Sequence, residues 1–273
     1  MSYFTKCVTI LLLATILLPV AKASLSGDAY PPTFAHRGGY WYDSFGLTRD
    51  YAEGIVGYIP GLFSETIGSN SELAYSIGMD FSNDYSNSNS RADAILSYVQ
   101  HWTQYGYDED NVVMGGKTQS EWAWNADEMA HSIDVNKGIT ATGDCEDMAF
   151  LCETIYYGAG YETAIVDAPG HVALLIWLPD YPNANVYWDL FGDDKGAGWI
   201  WVEATGSENP VGWTPSDFFD GNWSAYVYHD GQYSQFDPQS TDIVDEGIAI
   251  DWDLVYVVLI VLFFILSRLF RRQ

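Results

Sequence analysis

Cysteine and positive charge are what this chain has least of. Its 273 residues include three cysteines, and 11 lysines and arginines against 37 acids. Two of those acids and five of those bases fall in the terminal runs, leaving 35 acids against 6 bases between Ser24 and Ile250. Such a surface repels phosphate backbones and anionic headgroups, which excludes nucleic acid as a partner. Screening ions would temper its self-repulsion, which suits a saline exterior. Three cysteines are too few for a disulfide framework. Cys7 lies in the N-terminal run. Cys145 and Cys152 stand seven apart on one expected helix, hence ~10 Å apart, and a bridge needs under about 7 Å. Their spacing fits no zinc motif. The acidic stretches Asp108-Glu109-Asp110-Asn111 and Asp193-Asp194 lack EF-hand spacing and read as solvated loops. No metal and no other cofactor is expected. Low-complexity blocks are also missing. With 48% apolar and 16% aromatic residues, a chain of this length can bury a sizeable core.

What is present starts with a signal-like segment. Lys6 precedes the apolar run Val8 to Val20, and Ala21-Lys22-Ala23 is an A-x-A cleavage pattern, so residues 1–23 read as a signal peptide. Near the other end, Leu254 to Ser267 carries no charge. It would span about 21 Å as a helix, against roughly 30 Å for a bilayer core. Extension to Phe270 and snorkelling of Arg268 narrow that gap. Arg268, Arg271 and Arg272 would stay on the cytoplasmic side. The expectation is a transmembrane anchor over 251–270 with a cytoplasmic tail at 271–273. The protein would then sit in the cell membrane, single-pass, with its main domain outside. The competing reading of that run is a core helix.

Between these ends the periodicity changes once. Residues 24–89 are rich in Gly, Tyr and Ser, show no clear period, and read as an N-terminal extension. Ser90-Arg91-Ala92-Asp93 has the form of a capping box. Ala92, Ile95, Leu96, Val99 and Trp102 then follow helical spacing up to Gly106. A second helix is expected from about Ser120 to His131, and a third from Cys145 to the stops at Gly158 and Gly160. Strands follow: Thr163–Val166, His171–Leu178, Val186–Leu190 and Trp199–Thr205. Helices first and an antiparallel sheet after define an α+β domain over 90–230. Residues 231–250 read as a polar linker. Asn222-Trp223-Ser224 is a glycosylation candidate.

The chemistry concentrates on three positions. Cys145 opens its helix after a small, flexible approach, and a helix N-terminus favours the thiolate. His171 is delivered to a strand mouth by Pro169-Gly170. Glu203 is an acid between Val202 and Ala204 in an otherwise apolar strand, and an ionised carboxylate there needs a partner. Nucleophile, base and orienting acid in that order are the components of covalent acyl transfer. Glu146 and Asp147 oppose the thiolate by like charge, and the imidazolium is expected to outweigh them. Cys152 falls on the buried stripe of Ala149, Ile155 and Tyr156 and reads as core.

The blocks Gly143-Asp144-Cys145-Glu146-Asp147-x-Ala149, Pro169-Gly170-His171-Val172-Ala173 and Trp201-Val202-Glu203-Ala204-Thr205-Gly206 occur in that order. Together they resemble the transglutaminase-like cysteine peptidase superfamily, most closely its prokaryotic, especially archaeal, membrane-attached members. The likeness extends back to Arg91-Ala92-x-Ala94-Ile95-Leu96-x-Tyr98-Val99-Gln100 and covers about residues 90 to 228. It implies a papain-like core with the nucleophile helix packed on an antiparallel sheet. It also implies Cys145 as nucleophile, His171 as base and Glu203 where the family most often has aspartate, with Asp189 in reserve. The separation of His171 from Glu203 is longer than usual for the family, which implies an inserted hairpin. Gln119, Trp122 and Trp124 are the candidates to complete an oxyanion hole with the backbone N–H of Cys145.

The expected activity is a cell-surface thiol hydrolase or acyltransferase acting on protein, peptide or cell-envelope amides, with hydrolysis preferred over cross-linking. Two other classes compete with it. One is a catalytically inactive binding or scaffolding module on the same fold. The other is a calcium-dependent structural protein. The substrate and the oligomeric state are open at this level.

Overall fold

The computed structural model describes residues 33–44, 46–50, 72–229 and 232–243. The chain runs β1 (Ala35–Arg37), β2 (Tyr40–Tyr42), α1 (Glu72–Asp84), α2 (Ser88–Trp102), β3 (Thr103–Tyr105), α3 (Asp108–Asn111), β4 (Val113–Met114), β5 (Lys117–Thr118), α4 (Ala126–Ser132), β6 (Ala141–Gly143) and α5 (Cys145–Gly158). Then come β7 (Thr163–Ala168), β8 (His171–Trp177), β9 (Val186–Leu190), β10 (Ala197–Val202), a 3-10 turn at Ser216–Phe218, β11 (Ser224–His229), β12 (Gln232–Phe236) and β13 (Pro238–Ile243). This is the expected mixed α+β class, with one large antiparallel sheet in the order β12-β11-β7-β8-β10-β9-β13. The short β3 and β6 pair in parallel in front of α5.

Alternation along the central strands divides two cores. Val172, Leu174 and Ile176 of β8 face one cluster with Ile200 and Val202 of β10, and the helices cover that face. Ala173 and Leu175 face the other, where Trp188, Trp199, Trp201 and Trp223 pack under Phe218 and Phe219. Successive side chains point to opposite faces, and a sheet covered on both sides takes near-continuous apolar strands such as β8. Helix α5 is buried along nearly its whole length, and Phe150, Leu151, Cys152 and Ile155 have no exposed surface. Its apolar contacts rather than helix propensity hold it in place.

Helix α1, in the stretch expected to be an extension, packs directly on α5. Gly78 crosses over the Ile155 carbonyl and the backbone of Gly158 and Ala159, and Gly158 faces the Tyr75 carbonyl in return. A Cβ at either glycine would collide with backbone.

Several boundaries differ from expectation for physical reasons. Helix α2 begins at Ser88, because the Asn87 side chain accepts from the Ser90 N–H at 2.9 Å and caps the helix earlier. The Asp93 carboxylate instead accepts from the Tyr181 hydroxyl at 2.5 Å. The helix ends at Trp102, and β3 follows at once. Helix α4 starts at Ala126, where Asn125 and Glu128 form a reciprocal capping box. In the expected linker, Pro238–Ile243 pairs with β9, whose outer edge was otherwise unpaired, and Gln232–Phe236 pairs with β11.

The expected single-pass membrane placement is overturned. Among the described residues no helix is long and apolar enough to cross a membrane. The segments on which that expectation rested, 1–23 and 251–273, lie outside the described residues.

Candidate active site

The N-terminus of α5 is set by a carboxylate network. Asp147, fully buried, accepts from the Asp144 N–H at 3.1 Å and from the Trp124 N–H at 2.7 Å. It therefore closes the first turn and ties it to the loop before α4. Gly143 is required here for space. A Cβ at that position would meet the Asp147 side chain, with the Asp147 Cβ at 2.7 Å. The small approach residue is thus a steric demand of the cap, while its φ is ordinary.

Cys145 is half-buried and free, and Cys152 is free and fully buried. The Cys145 thiol donates to Glu146 Oε2 at 3.3 Å. The N–H of Val172, the residue after His171, also faces the sulfur. Burial pushes the thiol pKa up, the charges of Glu146 and Asp144 push it further, and the Val172 N–H pulls it down. The expectation that the imidazolium outweighs these acids is not met in this state. No described hydrogen bond joins the sulfur to the imidazole.

His171 and Glu203 form the second half of the site. Nε2 of His171 lies 2.9 Å from Glu203 Oε2, and both side chains are largely buried. Glu203 sits one residue past the end of β10 rather than within the strand. Thr205 folds back to it, its N–H and hydroxyl donating to Oε1 at 3.2 and 2.6 Å, and Trp201 Nε1 donates to Oε2 at 3.3 Å. Burial pushes Glu203 up, yet the hydrogen bond and charge of His171, with the Thr205 donors, hold its pKa below the ordinary value. Phe218 lies flat against the imidazole, 5.5 Å between centroids at 10°, and flat against Trp201 at 5.2 Å and 12°. With Nε2 committed to Glu203, Nδ1 is the nitrogen left to take a proton. Gln100 Nε2 donates to the Glu203 carbonyl at 3.2 Å and to the Asn209 carbonyl at 3.0 Å, which steadies this segment from α2.

Thiol and imidazole come from opposite faces of the sheet. His171 continues the alternation of Ala173 and Leu175 on the tryptophan face. Cys145 packs against the helix-face core. They converge at the open end of β8. Beside it, the β7–β8 turn, Gly221 to Ser224 and Asp237 line a shallow groove of about 570 Å³, in which Asn222 is exposed.

The remaining candidates separate. Asp189 lies on β9, with β10 between it and β8, and is not brought to His171. Gln119 donates to the Lys117 carbonyl at 2.9 Å within the β4–β5 hairpin. Trp122 is fully buried, and its N–H is used by Asp108 Oδ2. The Trp124 N–H is used by Asp147. Neither backbone N–H is available to an oxyanion. No described hydrogen bond uses the N–H of Cys145, one of the donors that a helix start leaves open.

Sequence reasoning missed an acidic pocket around the sulfur. Asp108 is buried rather than solvated, and burial, then the Asp144 charge, pushes it up to about 7. Asp144 rises to about 9 by burial and its hydrogen bond with Glu146. Glu146 rises to about 7 by burial and the Asp147 charge. Ligand atoms of Asp108, Glu121, Asp144, Cys145, Glu146 and Asp147 converge in overlapping sets of three, each within 4.8 Å. That spacing could admit a cation, but nothing beyond acidity marks an ion site. Arg49 was also missed. Fully buried, it pairs with Asp43 at 3.0 Å and Glu128 at 2.5 Å and donates to the Ala123 carbonyl at 3.0 Å.

Fold and site together define an α+β protein with a half-buried thiol at a helix start and a hydrogen-bonded His–Glu pair on the neighbouring strands. Compared with known proteins, the chain matches no family model, no curated protein and no solved structure.

Proposed function

We propose that the protein is a thiol-dependent amide hydrolase or acyltransferase on a papain-like, transglutaminase-type core. The observation that carries this reading is the His171–Glu203 contact at 2.9 Å, with His171 opening the strand whose Val172 N–H faces the Cys145 sulfur. In the reaction His171 Nδ1 takes the thiol proton and the sulfur adds to the amide carbonyl carbon. The tetrahedral intermediate collapses as the imidazolium returns that proton to the leaving nitrogen. Water, activated by the same imidazole, then attacks the thioester and frees Cys145. A second amine in place of water gives transfer. Glu203 keeps the imidazole in the tautomer that exposes Nδ1 and stabilises its charged form. The Cys145 N–H is the natural first donor to the oxyanion. No step in this scheme calls for a cofactor.

The test is turnover of peptide and cell-envelope amides by the purified protein. Cys145→Ala should abolish it. Retained full activity in that variant removes the proposal.

A second reading, an inactive module of the same fold, is favoured by the thiol's hydrogen bond to Glu146 rather than to His171. Labelling with a thiol electrophile separates the two. An active site gives one fast-reacting thiol near neutral pH, slowed by His171→Ala. Slow, equal labelling of Cys145 and Cys152 supports the inactive module.

A further inference from the structure

We infer that Glu146 is a gate on the nucleophile: its carboxylate holds the Cys145 proton, and His171 can take that proton only when this contact is broken or neutralised. The inference rests on the reading of Cys145 as nucleophile. It starts from a geometry that helices do not ordinarily give. Side chains one residue apart on a helix point about 100° away from each other and do not usually meet. Here Glu146, in the first turn of α5, bends back so that Oε2 accepts the thiol proton at 3.3 Å. Glu146 is buried to 6% exposure, and a buried carboxylate takes whatever donors the site provides. The thiol is one of them.

The groups that face Glu146 reinforce this hold. Asp144 at the helix cap, Asp147 on the same turn, Asp108 on α3, Glu121 in the following loop and Tyr105 on β3 all lie close enough to act on this cluster electrostatically. None of them is cationic. A thiolate formed here would place a negative charge in a buried pocket that holds several acids and no base. His171 stands on the other side of the β8 end, committed through Nε2 to Glu203. In this state the thiol donates to the carboxylate, and the imidazole has no described hydrogen bond to it. Protonation of Glu146 or its rotation away from the sulfur would leave the imidazole as the remaining base. Burial and Asp147 place the Glu146 pKa near 7, so the hold strengthens as pH rises through neutrality.

The experiment measures iodoacetamide alkylation of Cys145 against pH by mass spectrometry, in the full chain, for wild type, Glu146→Gln, His171→Ala and the double variant. Buried Cys152 serves as the internal reference. Gln keeps the size and removes the charge. Glu146→Gln should alkylate about tenfold or more faster at pH 7, with the midpoint of its pH–rate curve about one unit or more lower, since a pKa unit is a factor of ten. A merely structural residue, once replaced, does not make the nucleophile faster and more acidic. Should Glu146→Gln not fold, Glu146→Asp is measured instead. It shortens the reach to the sulfur, and the same acceleration is expected in smaller degree. Rates equal to or below wild type, while His171→Ala remains slow, overturn the gate and leave the nucleophile reading standing. Alkylation of Glu146→Gln that a further His171→Ala leaves unchanged overturns both.

Discussion

Glu153 gives the sharpest energetic consequence of this fold. It lies on α5 with no exposed surface. One carboxyl oxygen accepts from the Thr163 hydroxyl, and the other has no partner among the described residues. Burial pushes its pKa from 4.5 up to about 8. Between those values the native state binds a proton that the unfolded chain has already released. Stability contributed by this carboxyl is therefore fully present at low pH and is lost as pH rises, at about 1.36 kcal/mol per pH unit. From pH 4.5 the loss amounts to about 3 kcal/mol by pH 7 and about 4 kcal/mol by pH 8, and it levels off above about pH 9. Glu153→Gln removes the titration and keeps the shape, and the buried Thr154 hydroxyl, itself without a partner, can accept from the new amide. Wild type and variant should match within about 1 kcal/mol at pH 4.5. The variant should then be more stable by about 3 kcal/mol at pH 7 and by about 4 kcal/mol at pH 8. Urea unfolding at a series of pH values reads this as the difference between two curves. The raised carboxyls of Asp108, Asp144 and Glu146 act alike in both proteins and cancel. Parallel curves would refute the reasoning, because they would mean that Glu153 is ionised inside the native protein at neutral pH.

Two further perturbations follow from contacts on either side of the sheet. Phe218→Ala frees the face of the imidazole that Phe218 covers; it should lower Cys145-dependent kcat about ten- to a hundredfold with KM little changed, and Phe218→Tyr should restore it. Gly78→Ala gains about 1 kcal/mol of helix propensity but drives a Cβ into Ile155 and Ala159 backbone that cannot move aside. Overpacking costs about 1–3 kcal/mol or more, so urea denaturation should show net destabilisation, and a gain would mean that α1 does not cross α5 so closely.

The strands and the nucleophile helix were legible because their signals are local. The apolar run of His171–Trp177 and the glycine stops after Tyr157 act within a few residues. The pairing of His171 with Glu203 was legible from chemistry, since an acid in an apolar strand needs a cation or a donor. Other features depend on contacts remote in sequence. Asp108 reads as part of an acidic loop, yet it is buried under Trp122, whose N–H it accepts. Nothing in Asp108-Glu109-Asp110-Asn111 says which acid turns inward. Arg49 is one base among many polar residues until Asp43 and Glu128 enclose it. The edge strand Pro238–Ile243 has no apolar alternation to announce it, because its backbone pairing with β9 defines it.

The ownership of the thiol proton was beyond the sequence for a related reason. A motif places Glu146 beside Cys145 in the chain, where helical geometry argues that the two side chains diverge. Only burial reverses this. Buried beside Asp144, Asp108 and Glu121, the Glu146 carboxyl takes the donors the pocket provides, which are Asp144 and the thiol. Burial, together with Glu146 and Asp144, withholds the thiolate that a helix N-terminus alone would favour. A helix start is therefore insufficient evidence of an activated thiol. The sign is decided by which groups face it, and at Cys145 those groups are acids on one side and the imidazole held by Glu203 on the other.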